Sequence, residues 1–159
     1  MIQIPEYEEL KKAADTILDS MAEKIAESWN SEAEEFNKKK KWWQSKRVPM
    51  TKMFVKSHCS TFETGFTKGC EFYNEDGEKS GEEVEKEARK AYNVFVDGIM
   101  EELKKEDDQY NKKKKWWQAK RRRDTRAEVA KRCYAYVGGF VKGYVYCREN
   151  MWMVHPVER

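Results

Sequence analysis

Apolar residues recur along the chain at steps of three and four. Leu10, Ala14, Ile17, Leu18, Met21, Ile25 and Trp29 trace one stripe, and Val84, Ala88, Ala91, Phe95, Ile99 and Leu103 trace another. A period near 3.6 puts such residues on one face of a helix and the charged residues between them on the other. Both stripes run on, to Phe36 and Trp43 and to Tyr110 and Trp117. The first stripe predicts one helix over residues 6–47, roughly 60 Å long, or two helices broken near Asn30-Ser31. Ser31 and Glu34 have the spacing of a capping box, as do Ser80 and Glu83, and Thr125 and Glu128. Val48-Pro49 ends the helical run in the first half, and Asp124-Thr125 marks a restart in the second.

The two stripes belong to two copies of one unit. Displaced by 74 positions, residues 7–74 overlay 81–148 without a gap. Residues 37–47 read NKKKKWWQSKR and residues 111–121 read NKKKKWWQAKR, so ten of eleven positions agree. Most other pairs differ, apart from scattered matches such as Thr51/Thr125 and Cys59/Cys133 and a short GFTKG/GFVKG pair at 65–69 and 139–143. Self-similarity at a fixed offset is the mark of a repeated structural unit. The expected organisation is repeat 1 over 6–74, a linker over 75–80, repeat 2 over 81–148 and a tail over 149–159, all sharing one core. The expected fold is all-α, a tandem duplication of a two- or three-helix unit packed as a pseudo-twofold helical bundle.

Residues 134–146, YAYVGGFVKGYVY, are rich in β-formers and would also suit a hairpin turning at Gly138-Gly139. Their counterpart, STFETGFTKGCEF, is less strand-like, and a gapless repeat should hold one structure, so a helix is expected in both. On helices, Gly65/Gly69 and Gly139/Gly143 form faces that let backbones approach closely. The two GFxKG helices are expected to cross near the pseudo-twofold axis. Met151-Trp152-Met153-Val154, beyond the repeat, is expected to close the core of one copy or to hook a partner.

Composition supports a folded chain. Of 159 residues, 39% are hydrophobic and 38% charged, enough apolar material to build a core. The net charge of +3 conceals segregation. Residues 1–37 carry an excess of about seven acidic charges and residues 38–47 an excess of about six basic ones; the swing repeats over 71–111 and 112–123. No secretory leader and no membrane-length apolar run is evident, so a cytoplasmic location away from membranes is expected. There the four cysteines, Cys59, Cys70, Cys133 and Cys147, are expected to stay reduced, and the equivalence of Cys59 and Cys133 suggests small core residues rather than a disulfide framework. No CxxC or HxxxH spacing exists, and His58 and His155 have no obvious partners, so neither a metal nor a cofactor is expected.

The repeated cassette carries the candidate chemistry. Four consecutive lysines on a helix surround it, so one acidic face cannot neutralise them all. Glu34 and Glu35 can reach Lys38 and Lys39 at i,i+4, leaving Lys40, Lys41, Lys46 and Arg47 without such partners. In helical phase, Trp43 and Trp117 continue the core stripe, while Trp42 and Trp116 sit about 100° away and are candidates for an exposed stacking surface. The candidate ligand-binding residues are Lys38, Lys39, Lys40, Lys41, Trp42, Gln44, Lys46 and Arg47, with Lys112, Lys113, Lys114, Lys115, Trp116, Gln118, Lys120, Arg121, Arg122 and Arg123 in the second half. Lysine beside exposed indole suits nucleic acid or a nucleotide, the ammonium neutralising phosphate while the indole stacks on a base. The lysines also suit the negative end of a helix dipole, but that does not require two near-identical copies.

The expected function is therefore a non-enzymatic binding protein for an anionic ligand, most simply nucleic acid or a nucleotide. The alternative is a small viral, phage-type inhibitor that docks on a larger host defence or nucleic-acid-processing complex through an acidic or nucleic-acid-binding protein surface. Assembly into homo-oligomers is compatible with either. An enzyme is not expected: there is no Gly-rich phosphate loop, nucleophile elbow or Cys/His pairing. The repeated pairs Glu8-Glu9 and Glu82-Glu83 read as acidic first turns of helices rather than metal ligands.

Overall fold

Helix α1 runs without interruption from Tyr7 to Lys39, straight through Asn30-Ser31. The capping-box spacing at Ser31 is not used as a cap. Glu34 instead pairs with Lys38 at 3.3 Å, and Asn30 bonds the returning chain, accepting from Met50 N–H at 2.6 Å and donating to Met50 O at 3.0 Å. Acidic residues in its first turn, Glu8 and Glu9, and lysines in its last, Lys38 and Lys39, match the helix dipole. The chain then folds back along α1 into α2, Lys52–His58, and α3, Phe62–Asp76.

The second half follows the same order, with α4 Gly81–Lys113, α5 Arg126–Arg132 and α6 Ala135–Val154. The capping boxes expected at Ser80/Glu83 and Thr125/Glu128 are both formed, and they start α4 and α5. Helices α1 and α4 are 33 residues each, about 50 Å long. The computed structural model describes residues 7–154, and side-chain environments up to residue 150. Within that range the chain is all-helical, with six helices and no strand. The side chains of Met151-Trp152-Met153-Val154, and His155, lie outside the described residues.

Residues 135–146 are helix rather than hairpin, with Tyr134 in the turn before them, because α6 supplies half of a close helix pair. Gly65 lies against the backbone of Tyr136 and Gly69 against Phe140, while Gly139 lies against Phe62 and Gly143 against Phe66. A Cβ on any of these four glycines would collide with the opposite backbone. Partner numbers rise together along both helices, so α3 and α6 run in the same direction. Around this pair α1 packs Leu10 and Ala14 against Phe62 and Phe66, and α4 packs Val84 and Ala88 against Tyr136 and Phe140. A third cluster joins Val96 of α4 to Val129 and Cys133 near α5.

Close approach also corrects the expectation of four reduced thiols. Cys70 of α3 and Cys147 of α6 are disulfide-bonded, with Cα atoms 5.4 Å apart, a spacing that suits such a bridge. Cys59 and Cys133 are free and buried, as small core residues. Gly77, at φ 71°, ends α3 in the left-handed region where glycine is least strained. The buried Tyr144 hydroxyl accepts from Lys79 N–H and donates to Gly77 O at 3.2 Å, which fastens the connection between the halves to α6.

Candidate functional site

Helix α1 stops two residues into the lysine run, and this changes what the cassette is. Lys40 N–H makes the last backbone bond, 2.8 Å to Phe36 O, and Lys114 N–H its equivalent, 2.9 Å to Tyr110 O. The next four residues form a turn. Gln44 N–H donates to Lys41 O at 2.9 Å, and the Gln44 side-chain oxygen accepts from Lys41 N–H at 2.8 Å. Gln118 and Lys115 repeat both bonds at 2.9 and 2.8 Å. The tryptophan pair occupies the two central positions of each turn, where side chains point outward.

Trp43 and Trp117 are therefore not core residues. They are 62% and 63% exposed, while Trp42 and Trp116 are 92% exposed each. The expected stripe failed at this point because a seven-residue spacing from Phe36 carries phase only while the helix continues. Lys41 Nζ sits 5.7 Å from the Trp43 ring and Lys115 Nζ 5.6 Å from the Trp117 ring, so each inner indole carries its own cation.

The base of each loop is closed by an asparagine that opens the cassette. Asn37 accepts from Arg47 N–H at 2.8 Å and donates to Arg47 O at 3.0 Å; Asn111 accepts from Arg121 N–H at 3.1 Å. The guanidinium of Arg47 then lies over Phe36 at 4.2 Å, and that of Arg121 over Tyr110 at 4.5 Å. Part of the near-identity of the two cassettes thus has a structural cause. Asn37, Gln44 and Arg47 build the loop, and nothing in those bonds requires the lysines or the tryptophans. Asn37 and Asn111 were not among the candidate residues, although their place at the head of both copies was visible.

Ion pairing divides the cations. Lys38 and Lys39 pair with Glu34 and Glu35, at 3.3 and 2.8 Å, as their spacing implied. Lys40, Lys41, Lys46 and Arg47 have no carboxylate partner among the described residues. In the second loop Arg121 lies 3.8 Å from Asp107, Arg122 lies 3.3 Å from Glu128, and Arg123 pairs with Asp108. Lys112, Lys113, Lys114, Lys115 and Lys120 have no carboxylate partner among the described residues.

Behind each turn, between the helix end and the returning chain, lies an open recess. The second, about 760 Å³, is lined by Lys112, Lys114, Lys120, Arg121 and Arg123 with Asn111 and Asp108. Its counterpart in the first half, about 530 Å³, is lined by Lys38, Lys46 and Arg47 with Glu34, Asn37 and Pro49 among others. Beside the first loop there is also an apolar groove that the sequence did not signal. It is lined by Trp29, Val48, Pro49, Met50 and Phe54 and edged by Arg47. The equivalent positions in the second half are Leu103, Arg122, Arg123, Asp124 and Glu128, which are mostly charged. Among the described residues no cluster of His, Cys, Asp or Glu could hold a metal ion, and no helix is long and apolar enough to cross a membrane.

These features define an all-helical protein that carries a lysine-tryptophan turn at the end of each of its two longest helices. Compared with known proteins, the chain matches no family model, no curated protein and no solved structure.

Proposed function

We propose that this chain is a non-enzymatic binding protein whose two loops engage an anionic ligand, most simply nucleic acid or a nucleotide. The observation that carries the reading is the pair Trp42 and Trp116, each 92% exposed at a turn flanked by lysines that have no carboxylate partner among the described residues. Keeping a large indole in water twice over is unfavourable unless it meets a partner, since burying such a side chain is worth several kcal/mol, on the order of 2–3. Indole–base stacking contributes about 1–3 kcal/mol per base, and each phosphate met by a lysine adds salt dependence.

The halves are further proposed to be copies related by a pseudo-twofold axis running along the α3–α6 pair. Two features support this. The bounds of α4 and α5 lie 74 positions beyond those of α1 and α2. The glycine contacts are also reciprocal, Gly65 on Tyr136 answering Gly139 on Phe62. A ligand with its own twofold symmetry, such as a duplex, would then suit both loops.

The test is tryptophan fluorescence titrated with single-stranded and duplex oligonucleotides at two salt concentrations. Binding should weaken steeply with salt and be lost when Lys40, Lys41, Lys114 and Lys115 are changed to Glu. Absence of binding to any of these at low salt would retire the reading. The apolar groove beside Arg47 favours one other reading. An acidic protein surface presenting an apolar segment would fill it, as a small inhibitor docking on a larger complex requires. Loss of such a partner on Phe54→Glu, with oligonucleotide binding intact, would select it.

A further inference from the structure

The recesses behind the two turns are built from equivalent positions, yet their charges are wired differently. In the first, Glu34 neutralises Lys38 at 3.3 Å, and Pro49 forms part of the wall. In the second, the equivalent carboxylate is Asp108, one methylene shorter, and the residue in place of Pro49 is Arg123. Arg123 takes Asp108 for itself. Lys112, the counterpart of Lys38, is thereby left without a carboxylate partner among the described residues.

Lys114 and Lys120 share that condition, and Lys114 Nζ makes only a long bond, 3.4 Å, to Gln118 O. Five cationic side chains thus line the second recess against Asp108, with Asp107 reaching Arg121 at 3.8 Å from beside it, while three line the first against Glu34. Ammonium groups held around one opening repel each other, and an anion placed among them removes that cost. The salt bridge to Asp108 holds Arg123 in the wall, and the Arg121 guanidinium, stacked on Tyr110 at 4.5 Å, is held as well. A fixed guanidinium beside ammonium groups is a donor set suited to phosphoryl oxygens.

We infer that the recess at the end of α4 is a phosphate-binding site, taking a phosphoryl group of a nucleotide or of a nucleic-acid backbone, and that its counterpart on α1 is not. The inference rests on reading the loops as anion-binding elements and makes them unequal. The second loop grips phosphate, with Trp116 on the same loop free to stack on the attached base. The first loop presents its tryptophans beside an apolar groove instead.

The test uses the full chain and two probes, inorganic pyrophosphate and a 20-mer of oligothymidylate, followed by calorimetry. The expected result is that Lys112→Gln with Lys120→Gln weakens pyrophosphate binding at least tenfold. The matched change in the first half, Lys38→Gln with Lys46→Gln, should alter it less than twofold. Glu34→Asp with Pro49→Arg should add a second pyrophosphate site by reproducing the wiring of Asp108 and Arg123. Equal weakening by the two lysine pairs, or no pyrophosphate binding by the unaltered chain, would overturn the inference. Oligothymidylate separates the layers. If it binds and depends equally on both loops while pyrophosphate does not bind, the unequal site falls and the general reading survives. If pyrophosphate binds through Lys112 and Lys120 while oligothymidylate does not bind, the recess stands as a site for small phosphates and the nucleic-acid reading falls.

Discussion

Tyr73 and Tyr144 meet edge to face, their ring centroids 5.3 Å apart, at the positions that the 74-residue offset equates with Cys147 and Cys70. The α3–α6 pair is therefore joined both by a covalent bridge and by an aromatic contact. The bridge spans 77 positions, joins the two halves and restricts the unfolded chain. Replacing Cys70 and Cys147 with serine should cost about 2–5 kcal/mol in denaturant unfolding. The same loss should follow reduction of the unaltered chain. A midpoint that is insensitive to reductant would show that the bridge contributes nothing.

The glycines of that pair divide into two kinds, and stability should report the division. Gly69→Ala would drive its new methyl into the Phe140 backbone, where no side chain can swing away. The helices must separate, at about 3 kcal/mol or more. Gly98 lies inside α4 with open space around it, so Gly98→Ala should stabilise the chain by about 0.5–1 kcal/mol through helix propensity alone. Thermal melts of the two variants should therefore move in opposite directions. Destabilisation of equal size by both would mean that α3 and α6 are not in backbone contact.

The glycine pair was legible because GFxKG recurs at equivalent places, and a helix is the element on which its spacing becomes one face. The long helices were legible as stripes from Leu10 and from Val84, but the stripe left open whether the first ran on through Asn30-Ser31, as it does. The ends of those helices were not. Phe36 and Trp43 are seven apart, which is helical phase whether or not a helix connects them. What ends α1 is a set of side-chain bonds to backbone, from Gln44 to Lys41 and from Asn37 to Arg47, which no hydrophobic pattern records. The disulfide was missed because Cys70 and Cys147 do not match each other under the 74-residue offset; only the packing of α3 against α6 brings them together.

Placing both tryptophans in a turn reverses what substitution at Trp43 should do. As a core residue it would cost several kcal/mol, on the order of 3–5, when cut to Ala. Exposed, it stands to lose little beyond its contact with Lys41, about 0.5–1 kcal/mol. Trp42→Ala and Trp116→Ala should leave the melting temperature nearly unchanged while reducing ligand-induced quenching. A Trp43→Ala variant that melts much lower than Trp42→Ala would put the residue back in the core and extend α1 beyond Lys39.

The acid limit of stability should involve Asp19. Its carboxylate accepts from Lys52 at 2.8 Å and from Lys56 at 3.2 Å, tying the middle of α1 to α2. Those hydrogen bonds, first from Lys52 and then from Lys56, hold its pKa below the ordinary carboxylate value. The bond to Asp19 raises the pKa of Lys52, and bonds to Asp15 first and then to Asp19 raise that of Lys56. A carboxyl group whose pKa is lower in the folded state stabilises the fold above its unfolded pKa, about 3.9. That contribution is lost as pH falls through the lower, folded value. The lysines titrate the other way: their contribution is complete below about 10.4 and is lost as pH rises through the raised, folded pKa. The triad should therefore act over the whole neutral range. Asp19 and Lys52 are open to solvent and Lys56 is half-buried, so the effect should be modest and should shrink as salt is raised. Asp19→Asn should lower the melting temperature at pH 7 and at pH 5. The gap from the unaltered chain should close as pH drops below about 4, because protonation removes the same charge. A gap that persists unchanged at pH 2 would mean that Asp19 acts through packing rather than through its charge.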